Sequence, residues 1–229
     1  MWMAIEFRDH FTDAIPRYRP APTMNRGRLI TIEGLDGAGK TTLAAALAGE
    51  LGARGIDVRL LREPGGVGVA ERVRELVKDP ELTIGPRAEA LLYAAARAQL
   101  VEEALEPLLA SGTWVLLDRF VDSSLAYQGG GRELGVEPVG VINLFGTGGL
   151  VPDRTLLLVL DPELGRSRAR ARAEPLDRLE SERRDFFDRI AATYLELAAQ
   201  DPARIRTIDA TAPPDEVREA ALTELSDLL

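Results

Sequence analysis

The sequence predicts an α/β protein in which helices cover both faces of a parallel sheet. Short segments rich in Ile, Leu and Val alternate with helix-forming segments along most of the chain, and a glycine-rich turn joins the first strand to the first helix. Apolar strands that are separated by helices are typical of parallel sheets whose two faces are both buried.

The strands and helices follow from this pattern in order along the chain. The strands are short apolar or β-branched segments, predicted at 28–33, 56–61, 114–117, 155–160 and 205–208. The helices are the segments between and after them, predicted at 42–48, 69–77, 86–109, 138–145, 163–170, 183–199 and 214–228. No internal repeat or second boundary interrupts the pattern, so residues 28–229 are expected to form one domain.

The amino-acid composition limits the kinds of ligand that the protein can bind. The chain has 229 residues with 45% hydrophobic and 28% charged residues, which is enough for a well-packed core. A net charge of −9 argues against a broad surface for nucleic acid. The chain has no cysteine and one histidine, His10, so a bound metal is expected to take oxygen ligands.

The first 27 residues are predicted to be a loosely attached extension of the domain. They contain three prolines and no sustained periodicity, and Met24 is an alternative start position. Charges interrupt residues 1–20, and no run of about 18 apolar residues occurs in the chain. We therefore expect no signal peptide, no membrane partner and a cytoplasmic location.

A phosphate-binding motif follows the first predicted strand. Residues 34–41, GLDGAGKT, fit the pattern G-x-x-x-x-G-K-[ST], whose backbone N–H groups surround the phosphates of a nucleotide. Lys40 is expected to reach the outer phosphates and Thr41 to ligate Mg²⁺. Lys40 is one of only two lysines in the chain, which makes a chance match rare. The predicted ATP-binding residues are Gly34, Leu35, Asp36, Gly37, Ala38, Gly39, Lys40, Thr41 and Thr42.

A second candidate site lies at the end of the strand predicted at 114–117. Asp118 and Arg119 follow this strand, and residues at the carboxyl end of a parallel strand face the ligand crevice. Asp118 is expected to hold Mg²⁺ through water and Arg119 to bind a phosphate, although a surface ion pair is the alternative. The chain lacks the Asn-Lys-x-Asp element of guanine-nucleotide switch proteins, which favours a small-molecule kinase.

Several further segments, in their order and spacing, resemble the bacterial thymidylate kinase family. The resemblance runs from about Arg28 to Leu229 and is carried by the segments 33–42, 62–66, 93–99, 118–120, 126–132, 166–172 and 176–180. It implies a five-stranded sheet in the order 2-3-1-4-5 and transfer of the γ-phosphate of ATP, with Mg²⁺, to dTMP. The products would be ADP and dTDP in dTTP biosynthesis, and the partners ATP, dTMP and a second copy of the chain.

Two other functions remain open at this point. A related phosphate-loop kinase acting on another deoxynucleotide or on a nucleoside would share most of these segments. A regulatory protein that binds nucleotides would have kept the fold and lost phosphate transfer. A substrate panel separates the first alternative from a thymidylate kinase, and substitution of Lys40 separates the second.

The resemblance also implies which residues bind dTMP. Tyr93 would stack on thymine and Arg97 would bind its carbonyl, and residues four apart share one face of a helix. Ser124 and Gln128 match positions that contact the base, and Tyr127 matches one that crowds the 2′ position of the sugar. The residues assigned to the sugar and the acceptor phosphate are Asp36, Arg119 and Arg74.

The arginine-rich segment within residues 163–180, here called the lid, is the predicted source of a catalytic cation. In a helix, Arg166 and Arg170 share one column, and Arg168 and Arg172 share another about 160° away. Either one column faces the nucleotide or the segment unwinds into a loop. Some family members carry a basic residue in the phosphate loop where this chain has Gly37, so the lid is expected to supply the cation. The predicted catalytic residues are Lys40, Arg119, Arg168, Arg172 and Asp36.

Overall fold

A computed structural model describes residues 26–171 and 177–229 of the protein. Its centre is one parallel sheet of five strands, β1 (Leu29–Gly34), β2 (Val58–Arg62), β3 (Trp114–Asp118), β4 (Arg154–Val159) and β5 (Ile205–Asp209). The strand order is β2-β3-β1-β4-β5, as predicted, and every predicted strand is present with its ends shifted by at most two residues. β1 occupies the middle of the sheet, between β3 and β4.

Helices follow the strands on both sides of the sheet. Their bounds are α1 (Lys40–Ala53), α2 (Gly68–Lys78), α3 (Pro86–Leu100), α4 (Glu106–Ala110), α5 (Val121–Ser124), α6 (Val136–Gly146), α7 (Pro162–Arg170), α8 (Arg184–Gln200) and α9 (Pro214–Glu224). No helix of the two described ranges is long and apolar enough to span a bilayer.

The structure differs from the prediction at two π-helical stretches. The helix predicted at 86–109 is interrupted by a π-helical turn, Val101–Leu105, between α3 and α4. Pro107 has no N–H to donate to the preceding turn, and the helix widens just before it. A second π-helical stretch, Leu125–Gly131, continues α5, and the sequence did not predict either of these elements.

Two large apolar cores pack against the sheet. Side chains of Ile30 and Ile32 on β1 belong to a core that also contains residues of α1, α8 and α9. Leu29 belongs to the other core, with Leu117 of β3 and Leu105 of the π-helical turn. The strands in the middle of the sheet are therefore apolar along most of their length. All strands end at the same edge, where the phosphate loop leaves β1 and the lid leaves β4.

One buried carboxylate on β1 fixes the turn that follows β3. Glu33 has no exposed surface, and its Oε1 accepts a hydrogen bond of 2.7 Å from the backbone N–H of Phe120. Its Oε2 accepts hydrogen bonds from the hydroxyls of Ser123 and Tyr194. Arg119, in the middle of this turn, has a φ of 73°, a left-handed conformation that costs energy for residues other than glycine. These bonds hold the turn in that conformation.

Burial, followed by the nearby charge of Asp122, raises the pKa of Glu33 to about 7 from its usual 4.5. A carboxyl whose pKa is higher in the folded state stabilises that state fully only below its unfolded pKa. This contribution is lost as the pH rises through the folded value.

We therefore expect Glu33→Gln to flatten the loss of stability between about pH 4.5 and about pH 7. In this window the free energy of unfolding of the wild type should fall, relative to the variant, by at most about 1.4 kcal/mol per pH unit. Urea unfolding at several pH values measures this difference. Glu216→Gln on the exposed side of α9 is the matched control, and parallel curves for wild type and Glu33→Gln would contradict the expectation.

Candidate active site

A cavity of about 430 Å³ lies at the carboxyl edge of the sheet, a volume suited to a small-molecule ligand. Most of the predicted site residues line it, namely Asp36, Gly37, Gly39, Lys40, Thr41, Thr42, Arg74, Tyr93, Arg97, Asp118, Arg119, Ser124, Tyr127, Gln128 and Arg168. Gly34, Leu35 and Ala38 are buried beneath the loop and do not line it. Arg172 lies outside the described residues.

The phosphate loop wraps closely around the lysine side chain. Gly37 and Gly39 have φ values of 81° and 91°, which residues with a side chain rarely adopt. Lys40 begins α1, is buried, and its ammonium group donates a hydrogen bond of 2.9 Å to the carbonyl of Leu35. Burial, and then the charge of Arg119, lowers the pKa of Lys40 to about 8. An anion bound in the loop would stabilise the charged form of this lysine.

The two predicted metal ligands are in direct contact. The Thr41 hydroxyl donates a hydrogen bond of 2.8 Å to Oδ2 of Asp118. Both are hard oxygen ligands, which fit Mg²⁺, an ion that commonly keeps several waters and takes only one or two protein ligands beside phosphate oxygens. Among the described residues no three His, Cys, Asp or Glu side chains converge, so no all-protein metal cage is present there.

Arg119 and Asp36 form an ion pair between the phosphate loop and the deeper part of the cavity. The Arg119 guanidinium donates to Asp36 Oδ1 at 2.7 Å, to the carbonyl of Gly34 at 3.0 Å and to the hydroxyl of Tyr127 at 3.1 Å. Tyr127 in turn donates to the other Asp36 oxygen at 3.1 Å. Burial raises the pKa of Asp36, but the charges of Arg119 and Lys40 outweigh it and hold this pKa well below its usual range.

At the opposite end of the cavity, Arg97 is almost completely buried and donates four hydrogen bonds. Nε and Nη2 contact the Glu63 carboxylate at 2.8 and 2.6 Å, and Nη2 also donates to the carbonyl of Phe120 at 2.9 Å. Nη1 donates to the hydroxyl of Ser124 at 2.9 Å and to the Asn143 carbonyl. Only Glu63 and Ser124 of these partners line the cavity.

The other predicted dTMP residues surround this end. Tyr93 lies one turn before Arg97 on α3, and both line the cavity, as their spacing of four residues requires. Arg74 on α2 is half-buried and donates a hydrogen bond of 3.0 Å to the carbonyl of Pro64. Gln128 is buried in the π-helical stretch after α5, and its amide nitrogen donates to Glu89 at 2.9 Å.

The lid helix, α7, directs its arginines to two sides. Arg168 lines the cavity and donates a hydrogen bond of 2.9 Å to the carbonyl of Ala210, which follows β5. Arg166 lies over the ring of Phe187, 5.4 Å from its centroid, and together with Arg170 lines a separate small hollow. Up to Arg170 the segment is therefore helical, and Arg168 faces the cavity, whereas Arg166 and Arg170 do not line it.

α7 packs directly on the phosphate loop. A Cβ atom added at Gly37 would lie 2.2 Å from the carbonyl oxygen of Gly165 and 3.1 Å from the Cβ of Arg168. A Cβ at Gly165 would lie 2.9 Å from the carbonyl oxygen of Asp36. Distances this short leave no room for a side chain at either position. The loop is uncharged at Gly37 for a steric reason, and Arg168 reaches the cavity from beside it.

Several residues that hold the site were not assigned from the sequence. They are buried polar side chains that contact the predicted residues or the turn that carries Arg119, namely Glu33, Glu63, Glu89, Ser123 and Asn143. Glu33 and Asn143 each stand in a largely apolar segment of the sequence. An isolated polar residue in such a segment indicates that the side chain has a buried partner. Their partners are distant in the sequence, so this pattern does not identify which residue each of them contacts.

Comparison with known proteins agrees with this geometry. Residues 32–221 match the family model described as thymidylate kinase. A protein of that name from Oenococcus oeni is 49% identical over 211 residues, which cover 90% of this chain and 98% of the relative. Proteins of the same name from Deinococcus radiodurans and Halorhodospira halophila are 48% and 47% identical, cover 89% of this chain, and are themselves covered to 98% and 96%. The chain belongs to the thymidylate kinase family.

Proposed function

We propose that the protein transfers the γ-phosphate of ATP to dTMP in the cytoplasm, giving ADP and dTDP for the synthesis of dTTP. The observation that carries this proposal is that one cavity is lined both by the phosphate loop and by the polar residues predicted to bind the base, Tyr93, Arg97, Ser124 and Gln128. The Arg119–Asp36 ion pair lies between the two ends, where the reacting phosphates would meet.

Transfer needs alignment and positive charge rather than a covalent intermediate. Lys40 and the backbone N–H groups of the loop bind the outer phosphates of ATP, and Arg119 binds the phosphate of dTMP. An oxygen of that phosphate attacks the γ-phosphorus in line, and ADP leaves. Mg²⁺ held by Thr41 and Asp118 would neutralise charge on the phosphate oxygens. Arg168 supplies a further cation from the lid.

The sugar site favours a deoxyribose. Tyr127 is buried and is held by hydrogen bonds to Asp36 and Arg119, so it has little freedom to move away from an added 2′-hydroxyl. Asp36 is an acceptor for the 3′-hydroxyl, and its low pKa keeps it ionised near neutral pH. The same carboxylate thus serves both the acceptor phosphate, through Arg119, and the sugar.

The homodimer implied by the resemblance has a candidate surface on α3 and α6. Val141 and Phe145 are four residues apart on α6, and Phe145 is 91% exposed. Leu91 on the neighbouring α3 is also exposed. The inner sides of the same helices carry Arg97 and Asn143, so a second copy bound here would brace the base pocket.

We expect a coupled assay of ADP release with ATP and Mg²⁺ to show turnover with dTMP, weaker turnover with dUMP and none with purine monophosphates. Lys40→Ala should lower kcat by about 10³-fold, because the lost cation acts on charge that develops in transfer. Circular dichroism should show that the variant is folded. Wild-type protein that binds ATP but turns over no acceptor would instead indicate a regulatory protein, and a better acceptor than dTMP would indicate a related kinase.

Arg168→Ala should lower kcat by about 10³-fold with a smaller change in the KM for dTMP, because Arg168 lines the cavity and its Cβ lies next to the phosphate loop. Arg166→Ala is the matched control, since it removes the same group from the same helix on the side away from the cavity. Steady-state kinetics of both variants measure the difference. Equal losses in the two variants would refute the assignment of Arg168 as the lid cation.

Phe145→Glu should convert a dimer into a monomer, because a charge would then lie in the centre of the apolar contact. Sedimentation velocity measures the mass in solution. Leu195→Glu, on an exposed position of α8, is the control and should leave the mass unchanged. A monomeric wild type, or a dimer that survives Phe145→Glu, would exclude this surface as the interface.

A further inference from the structure

A buried carboxylate, Glu89, lies behind the base end of the cavity. It is not one of the residues predicted to bind the ligand. Glu89 lies on α3 one turn before Tyr93 and has no exposed surface. Its Oε1 accepts hydrogen bonds from Gln128 at 2.9 Å and from Arg132 at 3.2 Å. Its Oε2 is 3.1 Å from a second nitrogen of Arg132 and 2.7 Å from Arg178. A buried charge with two guanidinium partners is a built arrangement rather than an accident of folding.

This carboxylate determines which way the Gln128 amide points. A carboxylate between two guanidinium groups only accepts hydrogen bonds, so the end of the amide that faces Glu89 is the NH₂ group. The carbonyl oxygen Oε1 is then the other end of the amide. It has no hydrogen-bond partner among the described residues, and Gln128 lines the cavity.

We propose that Glu89 is a positioning residue that determines the base specificity of the protein. By holding the NH₂ group of Gln128, it leaves Oε1 as an acceptor for a ring N–H donor. Thymine and uracil carry such a donor at N3, whereas cytosine has a lone pair there, which would face the Gln128 oxygen without a hydrogen bond. This proposal rests on the proposed function, because it concerns the acceptor base of the same reaction.

The same carboxylate also ties the end of the lid to the base pocket. Arg178, which contacts Glu89, donates a hydrogen bond of 3.0 Å to the carbonyl of Val77. The adjacent Asp177 pairs with Lys78 at 2.9 Å. Removal of the Glu89 charge would therefore disturb two arginines as well as Gln128. A control variant must disturb one of these arginines without touching the amide.

Glu89→Gln tests the proposal. A glutamine at this position can donate as well as accept, so it no longer fixes the orientation of the Gln128 amide. We expect the ratio of kcat/KM for dTMP to that for dCMP to fall by at least about tenfold. The loss should appear mainly in the KM for dTMP, with the KM for ATP unchanged, because the phosphate loop is not involved.

Glu182→Gln is the matched control. Glu182 pairs with Arg132, the arginine that it shares with Glu89, and has no contact with Gln128. It should leave the dTMP/dCMP ratio unchanged. Equal falls in both variants would overturn the proposal, because the arginine cluster and not the amide would then be responsible.

A second variant, Gln128→Met, keeps the proposal testable if Glu89→Gln does not fold. It retains the volume of the side chain and removes the amide, so it should lower the same ratio. The double variant should show no further loss, because the two residues act through one hydrogen bond. An unchanged ratio in Gln128→Met, or in folded Glu89→Gln, overturns the proposal. Absence of dTMP turnover in the wild type would instead refute the proposed function.

Discussion

The hydrogen bonds from Phe120, Ser123 and Tyr194 to Glu33 fix the turn after β3 against the central strand. The arrangement of the site depends on them, because Arg119 stands in this turn with a left-handed backbone and reaches from it to Asp36. The turn also leads into the helical stretch that carries the residues of the base pocket. A displacement of the turn would therefore move the phosphate side and the base side of the cavity together.

Carboxylates recur as the residues that orient the binding groups. The buried Glu63 and Glu89 hold Arg97 and Gln128, and the partly exposed Asp36 holds Arg119. Burial of an ion pair costs desolvation energy, and the attraction between the charges offsets only part of this cost. Such pairs therefore contribute more to the orientation of the side chains than to the stability of the fold. In a site that must distinguish bases and sugars, fixed directions decide which hydrogen bonds a ligand can make.

The strands and the phosphate loop could be predicted from the sequence because their signals are local: apolar runs, and glycines at fixed spacing from Lys40. The helical stretch after β3 could not, because it contains Gly129, Gly130 and Gly131, which disfavour helices. Tertiary packing overrides that preference, since a Cβ at Gly130 would lie 2.0 Å from the hydroxyl oxygen of Thr193. The phosphate-loop residues followed from such a local motif, and the other cavity-lining residues were predicted from the family resemblance. The carboxylates that orient them act over long sequence distances, which no local pattern reveals.

The contact between Gly37 and Gly165 restricts how this kinase could change during evolution. A basic side chain in the loop would push α7 away, and Arg168 with it, so a cation from the loop and a cation from the lid are mutually exclusive on this backbone. A lineage that exchanged one for the other would need to alter the loop and the lid together. The position of the lid arginine is thus coupled to the packing of Gly37 against Gly165, and the two are expected to change together.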